Sequence, residues 1–549
     1  MPVIGIPVRE LTSRLGRPLE GEELLRVLGS AGCDVDGYET WRRWRCAGCG
    51  EVLEAMGEEP APSNCDRCGA DLSSPAALTA LPDLEVVRMD LLAVRPDIFD
   101  PGGLCRALRG LLGEEEGLIT YACGPPALTL TVDDSVRRPQ SSRPFIAAAV
   151  LENVALDEDR IRILMKLQEN LHWALGRDRK HASIGVYDLD SFSSSEGERA
   201  SPELEYTTEP PSYRFVPLGA LGTSAEHERS LEEILREHPK GMAYARLLAG
   251  MDRYPILRAR DGLVLSMPPI INSEQTKVHA GSRRLFVDVT GSGPRVVHRT
   301  LNILVTSLLE LDPGMRLRGV RLRHASRAGV EGAPEADPVE QITPDLTPQA
   351  ATISVSRTAR LLGCPLDAAE LARLLRRMRH GVEDAAAGAT SGAADPDLLR
   401  VRVAAYRSDI LHERDLMEDA AIARGYGSFE RTLVSTQTVG KHHPLVREAD
   451  AMREVMVGLG FLEIISLPLT APAQSDQLLG HQDHPERVLL ENPISQEQVQ
   501  LRTSLMPGLL WTLARNRHHR LPQQIFEVGE VTLADPTAET GARERRHVA

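Results

Sequence analysis

Apolar residues spaced three and four apart mark two long stretches of this chain. Over residues 157–175, Ile161, Leu164, Leu167 and Leu171 share one stripe; over 294–311, Val297, Leu301, Leu304, Val305 and Leu308 do the same. Both spacings predict amphipathic helices with that stripe turned inward. Leu24, Leu25 and Leu28 predict another helix over 20–28, broken by Gly29 and Gly32. Asp100 before Pro101 reads as the cap of a further one, and helices are expected over 368–378 and over 447–459, closed by Gly460. Short apolar runs at 3–8, 84–90, 143–151, 286–290, 399–403 and 461–470 read as strands. Residues 326–348, rich in Gly, Pro and acids, read as a linker, and 384–394 as a flexible tip. Mixed strands and helices over 549 residues predict a multidomain α+β protein, with about three to five domains on the usual size scale.

Charge narrows the picture. The formal net charge of −15 gives no general attraction for nucleic acid, so any such contact needs a local basic patch. The N-terminus lacks a basic segment followed by an apolar core, and no apolar run has membrane-spanning length, which predicts a cytoplasmic protein. Four of the eight cysteines, Cys33, Cys105, Cys123 and Cys364, sit singly among apolar neighbours and read as reduced core thiols. The other four form two CxxCG turns, Cys46–Cys49 and Cys65–Cys68, separated by 15 residues. In each turn the glycine permits a positive φ and both thiolates face one point, the pattern of a closed tetrahedral zinc site. A redox CxxC is the rival, but two such turns at this spacing favour structural zinc.

Four carboxylates crowd one further segment: Asp409, Asp415, Glu418 and Asp419. A helix starting near Asp415 places 415, 418 and 419 on one face. Hard oxygen ligands at this density suit Mg2+. Asp415 with Glu418 also fits a helix N-cap with its reciprocal carboxylate, and spacing leaves both readings open. The full order, Tyr406-Arg-x-Asp409-Ile-x-His-x-x-Asp415-Leu-x-Glu418-Asp419-x-Ala-x-x-x-Gly-Tyr426, resembles the end of the B5 domain in the phenylalanyl-tRNA synthetase β-subunit family. The resemblance implies that these four acids bind Mg2+ at the contact with the α subunit.

Other segments resemble the same family, in its archaeal and eukaryotic form. They include Arg95-Pro-Asp-Ile-Phe-Asp, Gly176-Arg-Asp-Arg-Lys-His-Ala-Ser-Ile-Gly-Val-Tyr-Asp-Leu-Asp190, Leu265-Ser-Met-Pro-Pro-Ile-Ile-Asn-Ser-Glu-Gln-Thr276, Leu501-Arg-Thr-Ser-Leu-Met-Pro-Gly and Phe526-Glu-Val-Gly-Glu530. The implied organisation is an N-terminal module (1–44 and 73–90), an inserted zinc ribbon (45–72) and a B3/B4-like editing domain (91–325). The linker (326–348), a B5 domain (349–428) and a class II synthetase-like antiparallel core (429–549) follow, the last expected to be incomplete. The resemblance implies a β subunit that supports charging of tRNA(Phe) by an ATP-using α subunit, in an (αβ)2 complex, and hydrolyses mischarged Tyr-tRNA(Phe). Candidate editing residues are Asn272, Glu274 and Thr276, with a self-satisfied prolyl turn as the equal alternative. Arg177–Lys180 are candidates for phosphate contact, and Arg502 reads as structural rather than an ATP ligand. A non-catalytic zinc-containing scaffold or RNA-binding paralogue is the alternative to the enzyme.

Overall fold

The computed structural model describes residues 3–16, 19–65, 69–90, 93–137, 141–192, 203–220, 222–324, 340–383, 395–434, 436, 438–480 and 484–549. The chain forms two compact units, Met1–Glu430 and Arg431–Ala549. Among the described residues no helix is long and apolar enough to cross a membrane.

The first unit begins with a four-stranded antiparallel sheet in the order Val3–Pro7, Leu78–Asp90, Asp34–Cys46, Val52–Met56. The expected first strand stops at Pro7 and turns directly into a helix, Val8–Thr12, that the apolar run concealed. The expected break at Gly29 does not occur: the helix spans Gly21–Ser30 and ends where Gly32 takes a φ of 86°. The boundary drawn at residue 44 falls inside a continuous strand, and strand Val52–Met56 of the ribbon completes the N-terminal sheet.

Next comes a ten-stranded mixed sheet. Its order is Ile271–Asn272, Val264–Met267, Tyr254–Ala259, Glu203–Glu209, Cys123–Val132, Arg316–His324, Phe145–Glu152, Arg284–Gly291, Ala182–Asp188. The tenth strand, Glu340–Thr343, pairs with Arg316–His324 and corrects the expected linker. Thr343 is fully buried and its hydroxyl donates to Ala148 O at 2.6 Å; residues 326–339 lie outside the described residues. Both long predicted helices form, as Glu158–Ala174 and Pro294–Leu311. Asp157 caps the first by accepting from Arg160 N at 2.8 Å, and Asp100 caps Pro101–Leu111 through Gly102 and Gly103. One apolar core joins Leu24 of helix Gly21–Ser30, Val87 of the N-terminal sheet, Leu164 and Leu167, Val287 and Leu301, and Tyr406.

Residues 349–424 add a three-stranded sheet, Gln349–Ser354, Leu398–Val403 and Gly381–Glu383, with helices Val355–Leu362, Ala368–Arg377 and Glu413–Arg424. Leu399, Val401 and Val403 alternate inward, as a half-buried strand must. The expected tip at 384–394 lies outside the described residues.

In the second unit, helix Pro444–Gly458 precedes three two-stranded pairings. Leu469–Thr470 with Gln500–Leu501 and Val528–Ala534 with Ala542–Val548 are antiparallel, but Leu462–Glu463 with Ile525–Phe526 is parallel, so this unit is not the purely antiparallel core expected. The long strand expected at 461–470 is two short ones, with Ile465 and Leu467 exposed between them.

Candidate functional site

A cavity of about 920 Å3 opens beside the large sheet. Apolar wall comes from Ile184 and Val186 on one end strand of the sheet and from Met267, Ile270 and Ile271 on the strands and prolyl turn at the other end. Its polar floor is Tyr187, Ser266 and Asp288. The Tyr187 hydroxyl lies 2.6 Å from Asp288 Oδ1 and 2.8 Å from Ser266 Oγ; with one proton, it donates to one and accepts from the other. Burial drives the Asp288 carboxyl up to about 7, against the pull of the Tyr187 hydrogen bond and the Arg143 charge. Position 185 must be glycine, because a Cβ there would strike both the Tyr187 hydroxyl and the Asp288 carboxylate.

Of the three predicted editing residues, only Asn272 lines this cavity, donating to Val186 O at 3.3 Å. Glu274 is held outside the cavity lining, accepting from Gly219 N of a separate loop at 2.7 Å and pairing with Lys277 of its own at 3.1 Å. Thr276 is 1% exposed, with a hydroxyl that has no partner, and stands outside the cavity lining. Arg179 corrects the phosphate-contact expectation: it is buried, donates to Pro269 O (3.2 Å), Ile270 O (3.1 Å) and Glu169 (2.7 Å), and stacks 4.4 Å over Tyr244. Residues 177–179 all take positive φ, 46°, 56° and 63°, a sparsely populated conformation that delivers this guanidinium inward. The signal that would have found the floor is Asp288 itself, a charge flanked by valines in an apolar strand.

At the ribbon, Cys46, Cys49 and Cys65 bring three Sγ atoms within 4.8 Å of one another. Cys49 Sγ and Cys65 Sγ lie 3.6 Å apart, too far for a disulfide and near the ~3.8 Å that two thiolates span around one tetrahedral zinc. Gly50 and Gly69 take φ of 74° and 69° and donate back to Cys46 O and Cys65 O at 2.9 and 2.8 Å. These residues fit a structural zinc ion. Cys68 lies outside the described residues.

The four acids do not converge. Asp409 and Asp419 meet on Arg407, whose Nη2 reaches them at 2.7 and 2.8 Å, and Asp419 also receives His380 Nε2 at 2.6 Å. Burial opposes ionisation of Asp419, but Arg407 and His380 outweigh it and hold the carboxyl at about 2. Burial keeps His380 neutral, so Nε2 carries the proton it donates. Asp415 instead accepts the N–H groups of Leu411 and His412, both at 2.7 Å. The helix starts at Glu413 with His412 as its cap and Asp415 as the third residue, two residues before the expected start. Glu418 is exposed. Among the described residues the cysteine triad is the one group of three or more arranged for a metal; the acids, tied to Arg407, His380 and backbone, do not fit a shared Mg2+.

Arg502, in the second unit, donates to Glu527 (2.6 Å), Glu530 O (2.7 Å) and Ser466 Oγ (2.9 Å), a buried structural tie.

Comparison with known proteins completes the picture. Residues 351–426 match the family described as tRNA synthetase B5 domain, and residues 430–549 that of the phenylalanyl tRNA synthetase beta chain CLM domain. A phenylalanine–tRNA ligase beta subunit from Methanothrix thermoacetophila is 38% identical over 453 residues, 82% of this chain and 76% of that protein. One from Methanosphaera stadtmanae is 30% identical over 98% of this chain and 82% of its own length. An N-terminal fragment of the phenylalanyl-tRNA synthetase beta subunit from Pyrococcus horikoshii superposes with a TM-score of 0.60 at 28% identity, covering 78% of this chain and 100% of the fragment.

Proposed function

Since this chain belongs to the phenylalanine–tRNA ligase β-subunit family, we propose that its 920 Å3 cavity hydrolyses tyrosine misattached to tRNA(Phe). A pocket shaped for phenylalanine rejects an analogue that merely adds a hydroxyl only weakly, so a second site must read that hydroxyl. One observation carries the reading: an apolar lining surrounds three linked oxygens, those of Tyr187, Ser266 and Asp288. A tyrosyl phenol joins that network, whereas a phenylalanyl ring leaves it facing carbon. Asn272 adds a polar group on the wall. Water then cleaves the ester between the tyrosyl carboxyl and the ribose, and the ribose hydroxyl leaves protonated.

The remaining parts follow the same reading. ATP and its Mg2+ serve the α subunit, where the amino acid is activated, and the assembly works in the cytoplasm as an αβ or (αβ)2 complex on tRNA(Phe). The B3/B4 designation applies to the large sheet with its cavity, and the zinc-ribbon designation to the cysteine turns, with Cys68 as the fourth thiolate.

The test is hydrolysis of Tyr-tRNA(Phe) and Phe-tRNA(Phe) by the α/β complex. The wild type is expected to clear the first and spare the second, and Asp288→Ala to slow clearance by at least roughly tenfold with Phe charging intact. Equal wild-type rates on both substrates, or no hydrolysis, would end the reading.

A further inference from the structure

The same cavity has an unexpected wall. Gly50, Glu51 and Val52, the residues that leave the first cysteine turn, line it together with the sheet residues Tyr187 and Asn272. We propose that the ribbon is a positioning element for hydrolysis: the thiolate-bound ion fixes residues 50–52 as one wall of the cavity. The inference rests on the hydrolytic reading above.

The turn sets where the wall stands. Gly50 N donates to Cys46 O at 2.9 Å, and Cys46 N donates to Glu51 O at 2.7 Å, so residues 50 and 51 are placed by Cys46 itself. The wall is then strapped to helix Glu158–Ala174, which supplies Met165, Gln168 and Glu169 to the same cavity. Arg45 reaches Gly50 O at 3.2 Å while holding both oxygens of Glu158, at 3.1 and 2.6 Å. Arg162 reaches Val52 O at 3.3 Å, and Glu54 takes Arg162 at 3.3 Å and Lys166 at 2.9 Å. Exposed ion pairs of this kind hold little individually. The turns share only a small apolar cluster, Cys46, Leu53, Cys65 and Leu72, so a bound ion adds to what holds their shape. Metal and straps together therefore fix the gap that the aminoacylated end of the tRNA must enter, an effect on productive binding more than on bond cleavage.

The experiment compares three α/β complexes: wild type, Cys49→Ser, and Arg45→Ala/Glu54→Ala. Zinc content, kcat and KM for Tyr-tRNA(Phe) hydrolysis, and Phe charging are measured on each. Cys49→Ser is expected to lose its zinc and raise KM by roughly tenfold, with kcat and Phe charging nearly unchanged. The double variant keeps every cysteine and its zinc, and is expected to raise KM in the same direction. Unchanged KM in both variants overturns the proposal, as does a fall in kcat and charging together, which marks general damage. Wild type without bound zinc overturns it too. Wild type that leaves Tyr-tRNA intact removes the hydrolytic reading and this one with it; wild type that hydrolyses normally while both variants match it removes the wall alone.

Discussion

Arg407 decides what two of the four acids in the B5 segment do. It is buried between Asp409 and Asp419, and Asp419 is 3% exposed, so removing one charge strands the other in a dry site. Asp419→Asn is therefore expected to destabilise the first unit by roughly 3 kcal/mol, equally with and without Mg2+, as read by urea unfolding. The pH dependence has a definite sign. The Asp419 carboxyl sits at about 2 in the fold against 3.8 ordinarily, so its contribution is complete above about 4 and is lost as pH falls toward 2. An isostere cost that vanished in Mg2+-free buffer would point instead to an ion. The cluster of acids was visible in the sequence, but its partners were not. Arg407 lies two residues from Asp409, yet His380 comes from nearly forty residues upstream, and only the fold brings it in. Asp288 was equally visible as a letter and silent as a site, because Tyr187 comes from the strand paired with its own and Ser266 from a strand paired elsewhere in the sheet.

At the level of elements, local rules were the most legible. The 3.6-residue period located helices Glu158–Ala174 and Pro294–Leu311 to within a residue, and Asp157 and Asp100 cap where their chemistry favours capping. The cap at His412 was misread, since an acid at the third helical position mimics an acid at the cap. Sheet order was beyond reach: Cys123–Val132 lies parallel to Arg316–His324 across some 190 residues, and no local pattern encodes that pairing. The spacing of the cysteine turns was legible, and three of the four thiols do gather; whether a metal holds them is checkable. Chelation is expected to speed amide hydrogen exchange across Val52–Met56 while Ala182–Asp188, with its own buried pairing, stays protected. Uniform exchange across both strands would show that the metal does not act locally.

On the scale of the whole molecule, the two units differ in how their apolar surface is used. The first welds the B5 segment to its core: the Arg106 guanidinium lies 3.6 Å over the Tyr406 ring, and Tyr406 and Ala404 belong to the same apolar cluster as the N-terminal sheet. In the second unit, Ile465 is 91% exposed and Ile494 fully exposed, and helix Pro444–Gly458 shows Met452 and Val455 to solvent. The β-subunit naming of the relatives implies an α-subunit partner, and we predict that these exposed side chains meet it. Ile465→Asp with Val455→Asp is expected to weaken α/β association at least roughly tenfold while the isolated chain keeps its fold, measured by sedimentation and circular dichroism. Undiminished assembly would place the contact elsewhere.

The paired strands Asp34–Cys46 and Leu78–Asp90 carry a consequence for descent. The chain departs for the ribbon at Cys46 and returns at Leu78, and these two residues face each other across the ladder. A hairpin needs only a short turn to bridge such a pair. The stretch between them is therefore a cassette whose ends already touch: a single in-frame deletion or insertion removes or installs it with the register of both strands preserved. One genetic event therefore suffices to add or remove this cysteine-bearing stretch while leaving the pairing of the two strands as it is.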